Sequence, residues 1–256
     1  MALNRKISHW RGQVVWISGA SSGIGLALAE QLLARGAQVI LSARNCASLN
    51  AICAKYPLAM MINCDITDIQ ALTQTVQTII AKYQRIDLFV ANAGVYNEMH
   101  AFDFNAEAAQ QMLDINVSGT INSVAAVIPQ LLQQGSGGIA VVASVAGYGG
   151  LPAALIYGAS KAALINFTET LYLDLSASGL NVTLINPGFV DTRLTQKNKF
   201  SMPALLTSEQ AAAKIIAGFA RGDFEIHFPH RFTLWLKLLK LLPYQVYFFL
   251  VKRFTK

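Results

Sequence analysis

The feature that most constrains this chain is a regular alternation, from residue 13 to about 228, of short β-rich apolar runs with longer segments of helical period. QVVWIS (13–18) reads as a strand and Ile24 to Arg35 as a helix, with Gly36 as a stop before AQVILS (37–42). MMINC (60–64), IDLFVA (86–91), GIAVVAS (138–144) and NVTLIN (181–186) read as further strands, and FEIHF (224–228) as a shorter last one. Helical patterns occupy 68–83, 105–133, 155–178 and 208–221. Strands apolar on both faces cannot leave either face to water, so helices must cover both sides of a parallel sheet. The expected fold is α/β: one doubly wound, Rossmann-like domain over residues 1–230, followed by an amphipathic helical tail over 231–256. A chain of 256 residues can bury one substantial core of this kind.

Charge is informative once it is located. The net charge is +6, with 20 basic and 14 acidic residues. Six basic residues (Arg231, Lys237, Lys240, Lys252, Arg253 and Lys256) and no acidic one fall in 231–256, so the body is neutral and the excess belongs to the tail. A neutral body argues against a nucleic-acid face. Cys46, Cys53 and Cys64 have no CxxC spacing and read as small buried hydrophobes in a reducing compartment. MALNRKISHWRGQVVWISGA has no long apolar run ahead of its strand and reads as neither signal peptide nor anchor, which implies a cytoplasmic location. His9, His100, His227 and His230 lack metal-ligand spacing, and no metal is expected.

Ser18-Gly-Ala-Ser-Ser-Gly-Ile-Gly25 lies between the first strand and the first helix. Gly19, Gly23 and Gly25 let the backbone turn sharply and approach a ligand, and the free N–H groups of the following helix suit a pyrophosphate. Ser21, Ser22 and Ile24 belong to the same cradle. The spacing is G-x-x-x-G-x-G, a variant of the usual dinucleotide fingerprint. About 20 residues on, an acid would hold the ribose hydroxyl of NAD, but Ala43 and Arg44 stand at the end of the second strand. Arg44 can pair with the 2′-phosphate of NADP, so NADP(H) is the expected cofactor. Asp65, beside Ile66, either hydrogen-bonds the adenine amine or caps the next helix.

Tyr157 and Lys161, in YGASK, lie four apart and would share one face of a helix. On its own such a pair is an amphipathic tyrosine beside a snorkelling lysine, or a general acid beside a cation. Over roughly residues 12 to 228 the chain resembles the short-chain dehydrogenase/reductase family. The resemblance rests on SGASSGIG (18–25), CDITD (64–68), ANAG (91–94), Asn116 in DINVSGT, Ser144 in VASVAG, YGASK (157–161) and NPGFVDT (186–192). Ser18 stands where the family usually has threonine, and Ala91 replaces the first asparagine of NNAG.

The resemblance implies a catalytic tetrad of Asn116, Ser144, Tyr157 and Lys161. It also implies cofactor contacts from Ile66, Asn92, Ala93, Gly94, Tyr157, Lys161, Pro187, Gly188, Val190 and Thr192. Tyr157 would protonate a carbonyl oxygen held by Ser144, Lys161 would orient the nicotinamide ribose, and Asn116 would support a water through which protons return. A free phenol ionises near a pKa of about 10, and Lys161, together with the positive charge of an oxidised nicotinamide, is expected to lower that value. The implied activity is interconversion of a carbonyl and a secondary alcohol, by a homodimer built on the two long helices. Reduction of a 3-oxoacyl thioester is one alternative, and a non-catalytic NADP-binding protein that docks a membrane is another.

Phe189 and Val190 would line the way to the substrate, and 193–207 would form a lid. Leu194, Phe200, Met202, Leu205 and Leu206 there are expected either to build an apolar pocket, pointing to lipophilic substrates, or to pack on the body. In the tail, Thr233, Lys237 and Lys240 at i, i+4 and i+7 make a narrow polar stripe on a broad apolar helix, which Pro243 interrupts. Leu241 to Val251 is the longest charge-free run, and at about 1.5 Å per residue it is too short for a hydrocarbon core of about 30 Å. The tail therefore either lies in the interface of an anionic membrane, at its inner face, or packs over the substrate mouth or between subunits.

Overall fold

The structure, a computed structural model, describes residues 2–197 and 202–254. Seven strands form one parallel sheet: β1 (Val14–Ser18), β2 (Gln38–Ala43), β3 (Ala59–Asn63), β4 (Leu88–Ala91), β5 (Gly138–Val142), β6 (Asn181–Pro187) and β7 (Glu225–Phe228). Their spatial order is β3-β2-β1-β4-β5-β6-β7. The order reverses between β1 and β4, which opens a crevice at the carboxyl ends of the strands.

Period-two alternation divides the core between the two faces. Val15 and Ile17 pack with Leu28 and Leu32 of α1 (Gly23–Leu33) and with Ile215 and Phe219 of α7 (Ser208–Arg221). Val14 and Trp16 pack on the other face with Leu72 and Ile79 of α3 (Ile69–Tyr83), Val127 of α5 (Gly119–Gln134) and Leu164 of α6 (Leu155–Leu175). The six-residue α2 (Asn50–Lys55) is too short to show a period and was not expected.

The segment 105–133, read as one helix, is divided. α4 (Ala106–Leu113) runs into a π-turn, Asp114–Ser118, before α5. The cause is Asn116, whose Oδ1 accepts the Val95 N–H at 2.8 Å and whose Nδ2 donates to the Val95 carbonyl at 3.0 Å. Turning that side chain onto the loop after β4 adds one residue to the helical turn, a form common at functional sites. By length and composition Ala106–Gln134 could cross a membrane, but Val124, Val127 and Leu131 are buried against the sheet. α6 also ends early, at Leu175, and tightens through Ser176–Ser178 to Gly179.

The tail folds as α8 (His230–Lys240) and α9 (Tyr244–Phe254), separated at Pro243. Two residues of its polar stripe, Thr233 and Lys237, face inward, and Lys240 is exposed. Thr233 is fully buried, with Oγ1 2.6 Å from His227 Nδ1, and Lys237 ion-pairs with Glu225. Glu225 also accepts Tyr148 Oη at 2.5 Å and Asn186 Nδ2 at 2.8 Å. Burial pushes this carboxyl up, but the bonds from Lys237, Tyr148 and Asn186 outweigh it and hold the group below its ordinary value. On α9, Tyr247 donates to the Gly150 carbonyl at 2.8 Å and packs with Leu239 and Val251 beside Leu151.

Candidate active site

The β1–α1 turn is built for close packing as much as for a ligand. Gly19 and Gly23 have φ of +65° and +59°, in the left-handed region that L side chains avoid. A Cβ on Gly19 would fall 2.5 Å from Ala93 Cα, and one on Gly23 would fall 3.0 Å from Thr192 Cγ2. A Cβ on Gly25 would strike the Asn92 amide. The side on which a Cβ would project is thus occupied by the chain itself, while Gly19 and Gly23 still line the cleft. Asn92 Nδ2 donates to the carbonyls of Ser18 and Gly19 at 3.1 and 3.0 Å, and the Asn92 N–H donates to Ser18 Oγ at 3.2 Å. The serine in place of threonine therefore still ties β1 to the end of β4. No side chain caps the start of α1 and no acid sits in its first turn, so the helix offers N–H groups and a positive dipole end to the crevice.

A single cleft of about 1600 Å³ runs from this turn across the strand ends. It exceeds the roughly 300–1,000 Å³ of a typical small-molecule site, so a dinucleotide and a second molecule have room together. Of the residues singled out from the sequence, it brings together Gly19, Ser21, Ser22, Gly23, Ile24, Arg44, Asp65, Ile66, Asn92, Ala93, Gly94, Ser144, Tyr157, Lys161, Pro187, Gly188, Val190 and Thr192. Gly25 and Asn116 lie behind the wall. Arg44 is exposed at one end, and Asn63 Nδ2 donates to its carbonyl. Asp65 takes the Thr67 N–H and hydroxyl at 2.9 and 2.8 Å, and Thr67, with Arg44 nearby, holds its carboxyl below the ordinary value. Capping of α3 falls to Asp68 and not to Asp65.

At the other end, α6 presents Tyr157 and Lys161 side by side. Lys161 Nζ donates to the Val142 carbonyl at 3.0 Å and lies 5.7 Å from the centre of the Tyr157 ring. A Cβ on Gly94 would sit 3.2 Å from Asn116 Oδ1 and 3.6 Å from Lys161 Nζ, so the asparagine and the lysine meet behind that glycine. Asn116 Nδ2 also reaches Ser160 Oγ at 3.2 Å, which links the π-turn to α6. Ser144 Oγ accepts the Ala146 N–H at 3.1 Å and lies near enough to the Tyr157 hydroxyl to oppose the rise in its pKa.

Burial governs the charges. It pushes the Tyr157 phenol up to about 12, with Ser144 opposing and Tyr96 adding to the rise. It lowers the Lys161 ammonium to about 8. In the protein alone burial outweighs any lowering by Lys161, because the same dry surroundings disfavour both ions. The phenol therefore stays protonated at neutral pH, as a proton donor must.

Several cleft residues were not foreseen. Tyr96 meets Tyr157 edge to face with ring centres 5.0 Å apart, and Glu98 and His100 follow it. The place of Tyr96 just past the carboxyl end of β4 was the available signal. The tail packs at the cleft, one of the two placements the sequence allowed, and contributes Phe232, Trp235, Leu236 and Leu239. Phe189, Val190, Leu194 and Pro203 line the cleft as well, whereas Leu205 is exposed. Phe200 lies outside the described residues. Cys46, Cys53 and Cys64 form no disulfide, and among the described residues no cluster of histidine, cysteine and acid could hold a metal.

Residues 13–202 match the family model for short chain dehydrogenases. The chain belongs to the short-chain dehydrogenase family. It is 36% identical over 231 residues to an uncharacterized oxidoreductase of Myxococcus xanthus, covering 89% of this chain and 91% of that one. It is 33% identical over 189 residues to a 3-oxoacyl-[acyl-carrier-protein] reductase of Synechocystis, covering 72% and 76%. A short-chain dehydrogenase/reductase of Burkholderia phymatum, solved in complex with NAD, superposes with a TM-score of 0.83 over 91% of this chain and 94% of that one, at 23% identity. This short-chain dehydrogenase is thus an oxidoreductase on a Rossmann-like sheet, with the family's nicotinamide cofactor and small-molecule chemistry.

Proposed function

We propose that the chain is an NADP-dependent reductase of lipophilic carbonyl compounds, or equally a dehydrogenase of the corresponding secondary alcohols. The observation that carries this reading is the protonated Tyr157 with Ser144 and Lys161 beside it, at one end of a cleft whose other end holds Arg44. Arg44 and the serines of the β1–α1 turn would hold the phosphates, and Asp65 and Ile66 would flank the adenine. Lys161 would hold the nicotinamide ribose, with Asn92, Ala93, Gly94, Pro187, Gly188, Val190 and Thr192 around the ring. A fold relative binds NAD, so the fold leaves the choice to the end of β2, where an arginine and no acid stands.

When bound, the nicotinamide supplies a hydride to the carbonyl carbon. As the carbon–oxygen π pair collapses onto oxygen, Tyr157 donates its proton there, and alcohol is the product. Ser144 fixes that oxygen and resists its negative charge, while the Lys161 ammonium stabilises the phenolate left behind. Asn116 positions the loop at Val95 and joins the route by which Tyr157 regains its proton. Residues 1–230 act as the cofactor-binding domain and 231–256 as a membrane-facing tail, placing a cytoplasmic homodimer at the inner surface. The Synechocystis relative favours one second reading, a 3-oxoacyl thioester reductase.

The test is NADPH oxidation over carbonyls graded from short and polar to long-chain and steroidal, with 3-oxoacyl thioesters included. Turnover should rise with apolarity and vanish in Tyr157→Phe, which should still bind NADPH within about twofold. Activity retained in that variant refutes the assignment. Tight NADPH binding without turnover of any carbonyl would mark a non-catalytic binding protein.

A further inference from the structure

α8 is inside out for a helix on a water-soluble surface. Such helices bury an apolar stripe and show a polar one. Here Thr233 and Lys237 are turned into the protein, held by His227 and Glu225, while Leu234, Leu238 and Leu241 are 50%, 62% and 80% exposed. α9 extends the same surface with Tyr244, Phe248 and Phe249, each more than half exposed. Contiguous aromatic and aliphatic exposure of this kind marks a docking surface. Lys240, Lys252 and Arg253 are exposed on the same two helices, and residues 231–256 contain no acid.

The opposite side of these helices borders the cleft. Phe232, Leu236 and Leu239 line its far end, on the same helix as the outward leucines. One thin layer thus separates the chamber from the exposed apolar face. We propose that α8 and α9 dock on an anionic bilayer and serve as a portal, through which a long-chain carbonyl dissolved in the bilayer reaches Tyr157 without crossing water. An anionic bilayer fits because it takes apolar side chains and basic ones together, and because two 11-residue helices are too short to span it and must lie along it. The inference rests on the reductase reading above and names the substrate class for that site.

The test compares the full chain with a Leu238→Glu, Phe249→Glu double variant, whose changes lie on the outer face and away from the cleft. Binding is measured to phosphatidylcholine vesicles with and without phosphatidylglycerol. NADPH oxidation is measured with a soluble short-chain ketone in buffer and with a long-chain ketone carried in the vesicles. The wild type should bind the phosphatidylglycerol vesicles more tightly than the neutral ones. The variant should bind NADPH normally and keep short-ketone turnover, but lose vesicle affinity by roughly tenfold or more per side chain. Its turnover of the vesicle-borne ketone should fall in parallel. A variant that turns over that ketone at the wild-type rate overturns the portal. Wild type that ignores anionic vesicles, and sediments as a dimer which the variant splits, gives the face to a second copy and overturns it too. No turnover of either ketone by wild type, with vesicle binding intact, identifies a failure of the reductase reading and removes the portal with it.

Discussion

Replacing Lys161 by methionine should abolish turnover and yet leave the fold more stable at neutral pH. Lys161 is 4% exposed, and burial lowers its ammonium from 10.5 to about 8. The unfolded chain therefore binds this proton more tightly than the folded one, and stability must rise with pH between those two values. From them, the side chain costs the fold about 3.3 kcal/mol at pH 7 but only about 0.8 kcal/mol at pH 10, a difference of roughly 2.5 kcal/mol. Methionine is of similar length and has no proton to bind. It also forfeits the bond to the Val142 carbonyl, a loss of about 1 kcal/mol at either pH. Lys161→Met should thus be more stable than wild type by about 2 kcal/mol at pH 7, and equal or slightly less stable at pH 10. Urea unfolding of both proteins at the two pH values, followed by the buried Trp10 and Trp16, measures this. Other groups titrate in the same range, but they cancel in the difference between the proteins. A difference that does not change between pH 7 and pH 10 would refute the argument that burial sets this lysine.

Arg44→Ala should weaken NADPH binding by about ten- to a hundredfold through loss of charge-assisted bonds to the 2′-phosphate, and leave NADH binding unchanged. Equal losses for both cofactors in a fluorescence titration would exclude Arg44 from phosphate recognition. Gly19→Ala combines a left-handed backbone with a Cβ 2.5 Å from Ala93 Cα and should cost about 2–5 kcal/mol, so an unchanged Tm contradicts it. Glu225→Gln should loosen α8 by about 1–3 kcal/mol, read as faster amide exchange there. Because the Glu225 carboxyl is held below its ordinary value, its contribution is present at neutral pH and is lost as pH falls through the lowered value. Exchange in α8 should accordingly speed up in acid in the wild type and change little in the variant.

The sheet was legible because its signal is repeated: seven apolar runs alternating with helical segments admit few arrangements. Boundaries were read less well where length or local bonding intervened. α2 has six residues and shows no period, and the π-turn at Asn116 depends on a bond to Val95, 21 residues away. The site was legible to the extent that its parts lie at the carboxyl ends of strands or one helical turn apart, as Tyr157 and Lys161 do. Tyr96 escaped notice because nothing in its local pattern sets it apart from a core or surface hydrophobe, and the sequence left open whether the tail meets the substrate mouth or a membrane.

What the sequence by itself determined is the parallel α/β architecture, the family, and which side chains gather at the strand ends. Periodicity and short-range spacing encode all of these. Three matters were decided only by tertiary structure. Burial, not the neighbouring cation, sets the Tyr157 phenol, since both ions share one dry site. The close approach of Ala93, Asn92 and Thr192 leaves no room for a side chain at the glycines of the first turn. Thr233 and Lys237 of the tail's polar stripe face inward, because His227 and Glu225 of β7 offer them partners that water would otherwise supply. A helical wheel shows that two faces differ, but only the packed partner determines which of them meets the solvent.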